Sequence, residues 1–163
     1  MQGPYMELVN KLSFKGIVNL KSVSDVNNKI DKIIEKADIK SEHHILEIGS
    51  GWGALARRAV EKTGCKETTI TLSNRHYDYV NKMIKEENLT NNIDIQLIDF
   101  RNVKGVYDRI VSVEMIEAIG YDLFNSYFKK IEELMKPEGT AVIQAITSVS
   151  YTHLRAHETD SYL

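Results

Sequence analysis

The chain has 163 residues, 42% hydrophobic and 27% charged, with 21 Lys and Arg against 23 Asp and Glu and a formal net charge of −2. That is the length of one domain, and a chain of this size buries roughly 70% of its unfolded surface. The balanced charge leaves no electrostatic footprint for nucleic acid, no apolar run reaches the roughly 20 residues that span a bilayer, and a single cysteine, Cys65, excludes an internal disulfide. No leader peptide is recognised at the N-terminus, so a cytoplasmic protein is expected.

Residues 1–21 mix Leu8, Val9, Leu12, Phe14, Ile17, Val18 and Leu20 with polar residues, and read as an ordered surface segment or as a helix or loop that closes over a site. Ser24 is a candidate N-cap. Val26, Ile30, Ile33, Ile34 and Ala37 then recur at helical spacing, which predicts a helix over 25–37 with one apolar face. The apolar run at 45–48 predicts a buried strand over 44–48, with His43 and His44 as exposed polar residues at its entrance. It runs straight into Gly49-Ser50-Gly51-Trp52-Gly53, and a helix over 54–62 follows, stopped by Thr63-Gly64.

A Thr- and Ile-rich strand is expected over 68–72, with Cys65 before it read as structural. Ser73 should cap a helix over 74–87, with Tyr77, Val80 and Ile84 on one face. Strands over 93–98 and 109–113 are separated by a turn that contains Asp99-Phe100-Arg101. Residues 114–120 lead into a helix over 123–135 that turns Phe124, Phe128, Ile131, Leu134 and Met135 inward. Pro137-Glu138-Gly139 should break it before a fifth strand over 141–146.

This regular alternation argues an α/β fold, a Rossmann-like doubly wound parallel sheet with right-handed crossovers. Ligands on such sheets bind beyond the C-terminal strand ends, where the strand order reverses. The chemistry-bearing groups gather at such ends: Glu47 to Gly53, Thr71 to Ser73, Asp99 to Arg101, Glu114 to Glu117, and Gln144 with Ile146. The glycines at 49, 51 and 53 turn the chain tightly and let backbone N–H groups approach a ligand. Glu47, a carboxylate in a buried strand, is costly without hydrogen-bond partners and is expected to hold the turn or a ligand. The spacing is G-x-G-x-G, whereas a dinucleotide site has G-x-G-x-x-G and an acid about 20 residues on, a distance that here lands on Thr71-Leu72-Ser73. The bland alternative is a glycine turn that binds nothing; the flanking strand, helix and Glu47 weigh against it.

E-x-G-x-G-x-G resembles motif I of class I methyltransferases that use S-adenosylmethionine (SAM). From about Asp31 to Thr147 the chain further resembles the cyclopropane-fatty-acyl-phospholipid synthases, in their bacterial and plant-type branch. The segments that carry the resemblance are LEIGSGWGALA, TGCK, TITLS, DFR, YDRIVSVEMIEAIG, LMKPEG and VIQAIT, in family order and spacing. The resemblance implies a SAM-binding methyltransferase domain over 1–147, with 1–23 as its N-terminal segment and later strands of the family sheet beyond the end of this chain. Residues 148–163 are expected to be a non-native tail, because residues 149–159 resemble a transposase sequencing adapter read in frame. His153 and His157 are therefore given no weight, and no metal site is expected.

Carried over by position, the resemblance assigns Glu47, Gly49, Ser50, Gly51, Trp52 and Gly53 to the methionine part and ribose of SAM. Thr71, Leu72 and Ser73 would border the ribose, and Asp99, Phe100 and Arg101 would flank the adenine, with Asp99 accepting from the base and Phe100 stacking on it. Glu117 corresponds to the family glutamate that helps hold a bicarbonate ion, and Gln144 to a position that is histidine or glutamine among members. In that family the substrate alkene attacks the sulfonium methyl group, a carbocation forms, bicarbonate takes a proton and the ring closes. The implied partners are unsaturated phospholipid acyl chains, with peripheral contact at the inner face of the membrane; the oligomeric state is left open. The chain departs from the family in three places. Ser50 replaces a cysteine, His76 stands where a glutamine is usual, and Met1 to Lys21 lacks the Tyr-Ser-Cys segment whose cysteine helps hold the ion. Another class I methyltransferase, or a SAM-binding module without turnover, are the alternative readings.

Overall fold

The computed structural model describes residues 23–145, with side chains from residue 26. The segment over 1–21, the side chain of Ser24, Ile146 and the tail from 148, with its two histidines, lie outside the described residues. The elements run α1 (Val23–Lys36), β1 (His44–Ile48), α2 (Ala54–Thr63), β2 (Lys66–Thr71), α3 (Asn74–Glu86), β3 (Ile93–Leu97), β4 (Tyr107–Val113), α4 (Phe124–Leu134) and β5 (Met135–Gln144). Ser24 falls inside α1, one residue past its first, and so does not precede the helix as a cap would.

The five strands form one sheet in the order β3-β2-β1-β4-β5, and every pair is parallel. This is the expected doubly wound architecture. The chain winds outward from β1 to β3, then crosses back to lay β4 on the other side of β1, which makes the gap between β1 and β4 the point of reversal. β1 is covered on both faces, which is why it reads as a continuous apolar run and lacks a clean alternation. Ile45 belongs to a core layer with Ile30, Ile33, Ala56, Ala59 and Val80 from α1, α2 and α3. Leu46 and Ile48 belong to the opposite layer with Tyr127, Ile131 and Leu134 of α4. Each of these large apolar side chains contributes roughly 1.5–3 kcal/mol by burial.

Local signals set most boundaries. Gly64 ends α2 in left-handed backbone (φ 73°), its N–H bonded to the Val60 carbonyl at 2.8 Å. Ser73 caps α3, its hydroxyl accepting from the His76 N–H. Cys65 is fully buried and burial pushes its thiol up to about 11, an inert structural cysteine as expected. His44 departs from expectation: it is half-buried, its ring bonded to the Thr68 hydroxyl at 2.9 Å and edge-on to Tyr107.

The largest departure is at β5. The helix ends at Leu134, ahead of Pro137-Glu138-Gly139 as expected, but the strand expected from 141 begins already at Met135: Met135 pairs with Tyr107, and pairing resumes at Arg109 with Thr140, so the residues between bulge out. Among the described residues β5 is an edge strand, where a proline without an N–H is tolerated. Gly139 closes this bulge. A Cβ there would stand 2.5 Å from Met135 Cγ, 2.8 Å from the Lys136 carbonyl oxygen and 3.3 Å from the Asp108 carbonyl oxygen. Gly139→Ala is therefore expected to destabilise the fold by roughly 1–3 kcal/mol, read as a lowered thermal midpoint; an unchanged midpoint would mean that the bulge relaxes freely.

Candidate cofactor site

The turn after β1 is held by a backbone acceptor. The Ile70 carbonyl of β2 takes hydrogen bonds from both Gly49 N–H (3.1 Å) and Ser50 N–H (2.8 Å), and Gly53 N–H returns to the Ser50 carbonyl (2.8 Å). Gly49, Gly51 and Gly53 all have positive φ, at 98°, 47° and 79°. At Gly49 a Cβ would meet Met115 Sδ at 3.2 Å, and at Gly53 it would meet Val80 and Met83 of α3 at 3.1 Å. At Gly51 it would meet nothing within 4 Å among the described residues.

Above this turn lies a cavity of about 390 Å³. Gly49 and Gly51 form its floor with Ile48; Ile70 to Ser73 and His76 form one wall. Ile98 and Phe100 close the far side, and Val113, Glu114 and Met115 the side towards β4. The ends of four strands thus meet at the reversal point. Apolar surfaces from Leu72, Ile98 and Phe100 suit a flat ring. The hydroxyls of Thr71 and Ser73 and the ring of His76 suit polar groups, and the glycine turn admits close approach.

The expected site residues divide into those in the wall and those behind it. Gly49, Gly51, Thr71, Leu72, Ser73 and Phe100 line the cavity. Phe100, expected to stack on a base, is 6% exposed and packs edge-on against Tyr127 at 5.2 Å, so most of its ring is core. Ser50 is buried below the turn. Gly53 starts α2, and Trp52, 52% exposed, leans edge-on against His76 and Tyr79 from outside.

Three of the expected residues, Asp99, Arg101 and Glu47, are not among those that line the cavity. Asp99 caps the turn Phe100–Asn102, accepting from the Arg101 N–H, and takes both Nε and Nη2 of the Arg101 side chain at 2.8 and 2.7 Å. That guanidinium holds the Asp99 carboxyl below its usual range, and Asp99 in turn keeps Arg101 out of the wall. Glu47 does not hold the turn. It is 2% exposed and accepts from the Thr69 hydroxyl at 2.5 Å, facing the carboxyl of Glu67. Glu67 is equally buried, and its oxygens meet no N–H or O–H donor among the described residues. Burial disfavours the charged form of both acids: it pushes Glu47 up to about 8, and with the neighbouring Glu47 charge it raises Glu67 well above the carboxylate range.

Glu117 lies in the short turn Ile116–Ala118 beyond β4, outside the cavity wall but close enough that its charge, added to burial, helps push the Tyr127 phenol up to about 12. Gln144 ends β5; its carbonyl accepts from the Glu114 N–H at 2.8 Å, and its side-chain oxygen is buried with no donor among the described residues. Sequence reasoning missed Ile98 and Met115 as wall residues, and Lys29 of α1, which forms an ion pair with Glu114. Apolar residues in a core pattern carry no sign of lining a cavity, and a partner 85 positions away leaves none either.

The family model described as mycolic acid cyclopropane synthetase matches residues 22–163. Among curated relatives, the tuberculostearic acid methyltransferase UfaA1 of Mycobacterium tuberculosis is 37% identical over 135 residues, 83% of this chain and 31% of that protein. The cyclopropane-fatty-acyl-phospholipid synthase of Escherichia coli K12 is 31% identical over 148 residues, 91% of this chain and 37% of that protein. The chain thus spans about a third of the length of these relatives. Among solved structures, the mycolic acid cyclopropane synthase CmaA1, complexed with SAH and CTAB, superposes with a TM-score of 0.78 at 23% identity, covering 84% of this chain and 48% of that one. The cyclopropane synthase MmaA2 of Mycobacterium tuberculosis gives 0.74 at 27% identity, over 80% and 46%.

The Glu47–Glu67 pair makes stability depend on pH. A carboxyl raised above its ordinary 4.5 leaves the native state binding more protons than the unfolded chain. Its contribution is fully present below about pH 4.5 and is lost as the pH rises through about 8. Denaturant unfolding is expected to show stability falling across this window by on the order of a few kcal/mol. Glu67→Gln, whose amide can donate to Glu47, should cut that fall by at least half; equal slopes in the two proteins would show that the pair does not set this pH dependence.

Proposed function

Because the chain belongs to the mycolic acid cyclopropane synthetase family, we propose that it binds SAM in the cavity above the glycine turn, as the cofactor half of a lipid-modifying methyltransferase. The observation that carries this reading is the cavity itself, which sits at the sheet's reversal point with glycine backbone as its floor. The whole protein, in this reading, transfers a methylene carbon from SAM to the double bond of an unsaturated phospholipid acyl chain. It works from the cytoplasmic side, in peripheral contact with the membrane surface. Among the described residues no helix is long and apolar enough to cross a membrane.

The residues fit the cofactor in kind. Open space among the described residues at Gly51 and its left-handed backbone let the chain lie against the amino-acid end. Thr71 and Ser73 offer hydroxyls to the ribose, and Leu72, Ile98 and Phe100 offer apolar surface to the base. With Asp99 closed on Arg101, adenine is selected by shape and by backbone groups, and the carboxylate acts by fixing the turn that carries Phe100. When bound, SAM supplies an electrophilic methyl on a cationic sulfur, and bicarbonate supplies a proton acceptor. Glu117 and Gln144 are the residues proposed to hold that anion. The buried Gln144 oxygen, without a donor among the described residues, fits a hydroxyl-bearing anion, since an unsatisfied buried acceptor costs about 1–3 kcal/mol. The apolar wall excludes water, which would otherwise trap a carbocation.

Calorimetric titration of the 163-residue chain is expected to show saturable binding of SAM and none of NADH. Gly51→Asp, which puts a side chain into the open floor, should weaken SAM binding at least tenfold. The full-length gene should yield lipids heavier by one methylene, and Glu117→Gln in it should lower turnover more than tenfold while leaving SAM affinity within about twofold. SAM binding with unchanged lipids would favour the alternative of another methyltransferase, or of a binding module without turnover.

A further inference from the structure

Among the described residues, Glu114 is the only acidic residue that lines the cavity, and its main chain is strained there. Its φ is +53°, a left-handed backbone that long side chains rarely adopt. Its N–H is bonded to the Gln144 carbonyl at 2.8 Å, which pins the main chain at the end of β4. Its carboxylate is gripped by Lys29, which reaches over from α1 with its own side chain only 12% exposed. Strain kept in place by two such restraints points to a use for the side chain it presents.

We propose that Glu114 makes the cavity discriminate SAM from its demethylated product SAH, with Lys29 acting as a positioning residue that aims the carboxylate and tempers its charge. The inference rests on the cofactor reading above. SAM carries a positive sulfonium; SAH has a neutral thioether and one carbon fewer, with the same adenosine and amino-acid ends. Contacts to those shared ends hold the two equally. A fixed carboxylate in the wall adds attraction for SAM alone, and that attraction disappears when the methyl group leaves. The site would thereby release its product without loosening its grip on the incoming cofactor.

The test compares SAM and SAH affinities of the 163-residue chain by calorimetry at low ionic strength. The wild type is expected to bind SAM more tightly than SAH. Glu114→Gln removes the charge at constant shape, and Glu114→Gly removes it while relieving the left-handed backbone, so at least one variant remains folded. Both should lower the SAM-to-SAH affinity ratio by roughly threefold to tenfold, the modest size reflecting Lys29 and solvent. Lys29→Met, which unmasks the carboxylate, should raise the ratio. A ratio unchanged in folded Glu114→Gln and Glu114→Gly, or lowered in Lys29→Met, overturns the proposal while leaving the cofactor reading intact. A folded wild type that binds neither ligand overturns both.

Discussion

One carbonyl oxygen organises the site. Ile70, near the end of β2, accepts from two successive N–H groups of the turn that leaves β1. Its register partner is Ile48, the last residue of β1, so β2 extends just far enough to catch the turn as it departs. With that anchor in place, Gly49 is brought against Met115 from beyond β4, and Gly53 against Val80 and Met83 of α3. A Cβ at either glycine would push these elements apart. The acceptor and both donors are backbone, so the identity of the side chain at Ser50 matters little to the anchor.

Beneath the turn the sheet carries polar groups on both faces. On the side of α2 and α3, Glu47, Thr69 and Glu67 form a buried patch inside an otherwise apolar layer. On the side of α4, the Tyr127 hydroxyl donates to Ser112 at 2.6 Å, and the Ser112 hydroxyl donates to the Ile48 carbonyl at 3.3 Å. Both patches touch the last residues of β1, where the ladder gives way to the turn. A satisfied buried network fixes one arrangement of the elements around it. The Tyr127 relay is satisfied throughout, whereas the Glu47–Glu67 patch depends on a proton.

The fold was legible because its signals are local. Glycines 64 and 53, the Ser73 cap and the apolar run of β1 each state a boundary within a few residues, and the alternation of strand and helix leaves few topologies. The wall of the cavity was half legible. The glycine turn and Thr71 to Ser73 announce themselves by composition and by position at strand ends. Glu47 and Asp99 were placed by their position at strand ends and by the resemblance, neither of which reports hydrogen-bond partners. A carboxylate near a ligand site has other partners to choose from, and here Thr69, Glu67 and Arg101 lie closer. The Glu67 partner follows from the register of β1 on β2, and the Lys29–Glu114 pair from helix packing, neither of which periodicity reports. Pro137 marked the end of the helix but not the start of β5, because a strand that is an edge among the described residues accepts a proline within it.

The strand order also dictates a sequence of events. β1 finds its first neighbour, β2, soon after it is made, but its second, β4, pairs through Ile45 and Arg109, across the whole of β2, α3 and β3. Such pairing closes a long loop and is slow to form. As the chain emerges from the ribosome, the most apolar strand of the protein waits with one side open, its row of N–H and C=O groups ready to receive any extended segment. The half from β1 to β3 must hold together on its own through that interval. The window between synthesis of β3 and docking of β4 is when this edge of β1 is most open to mispairing.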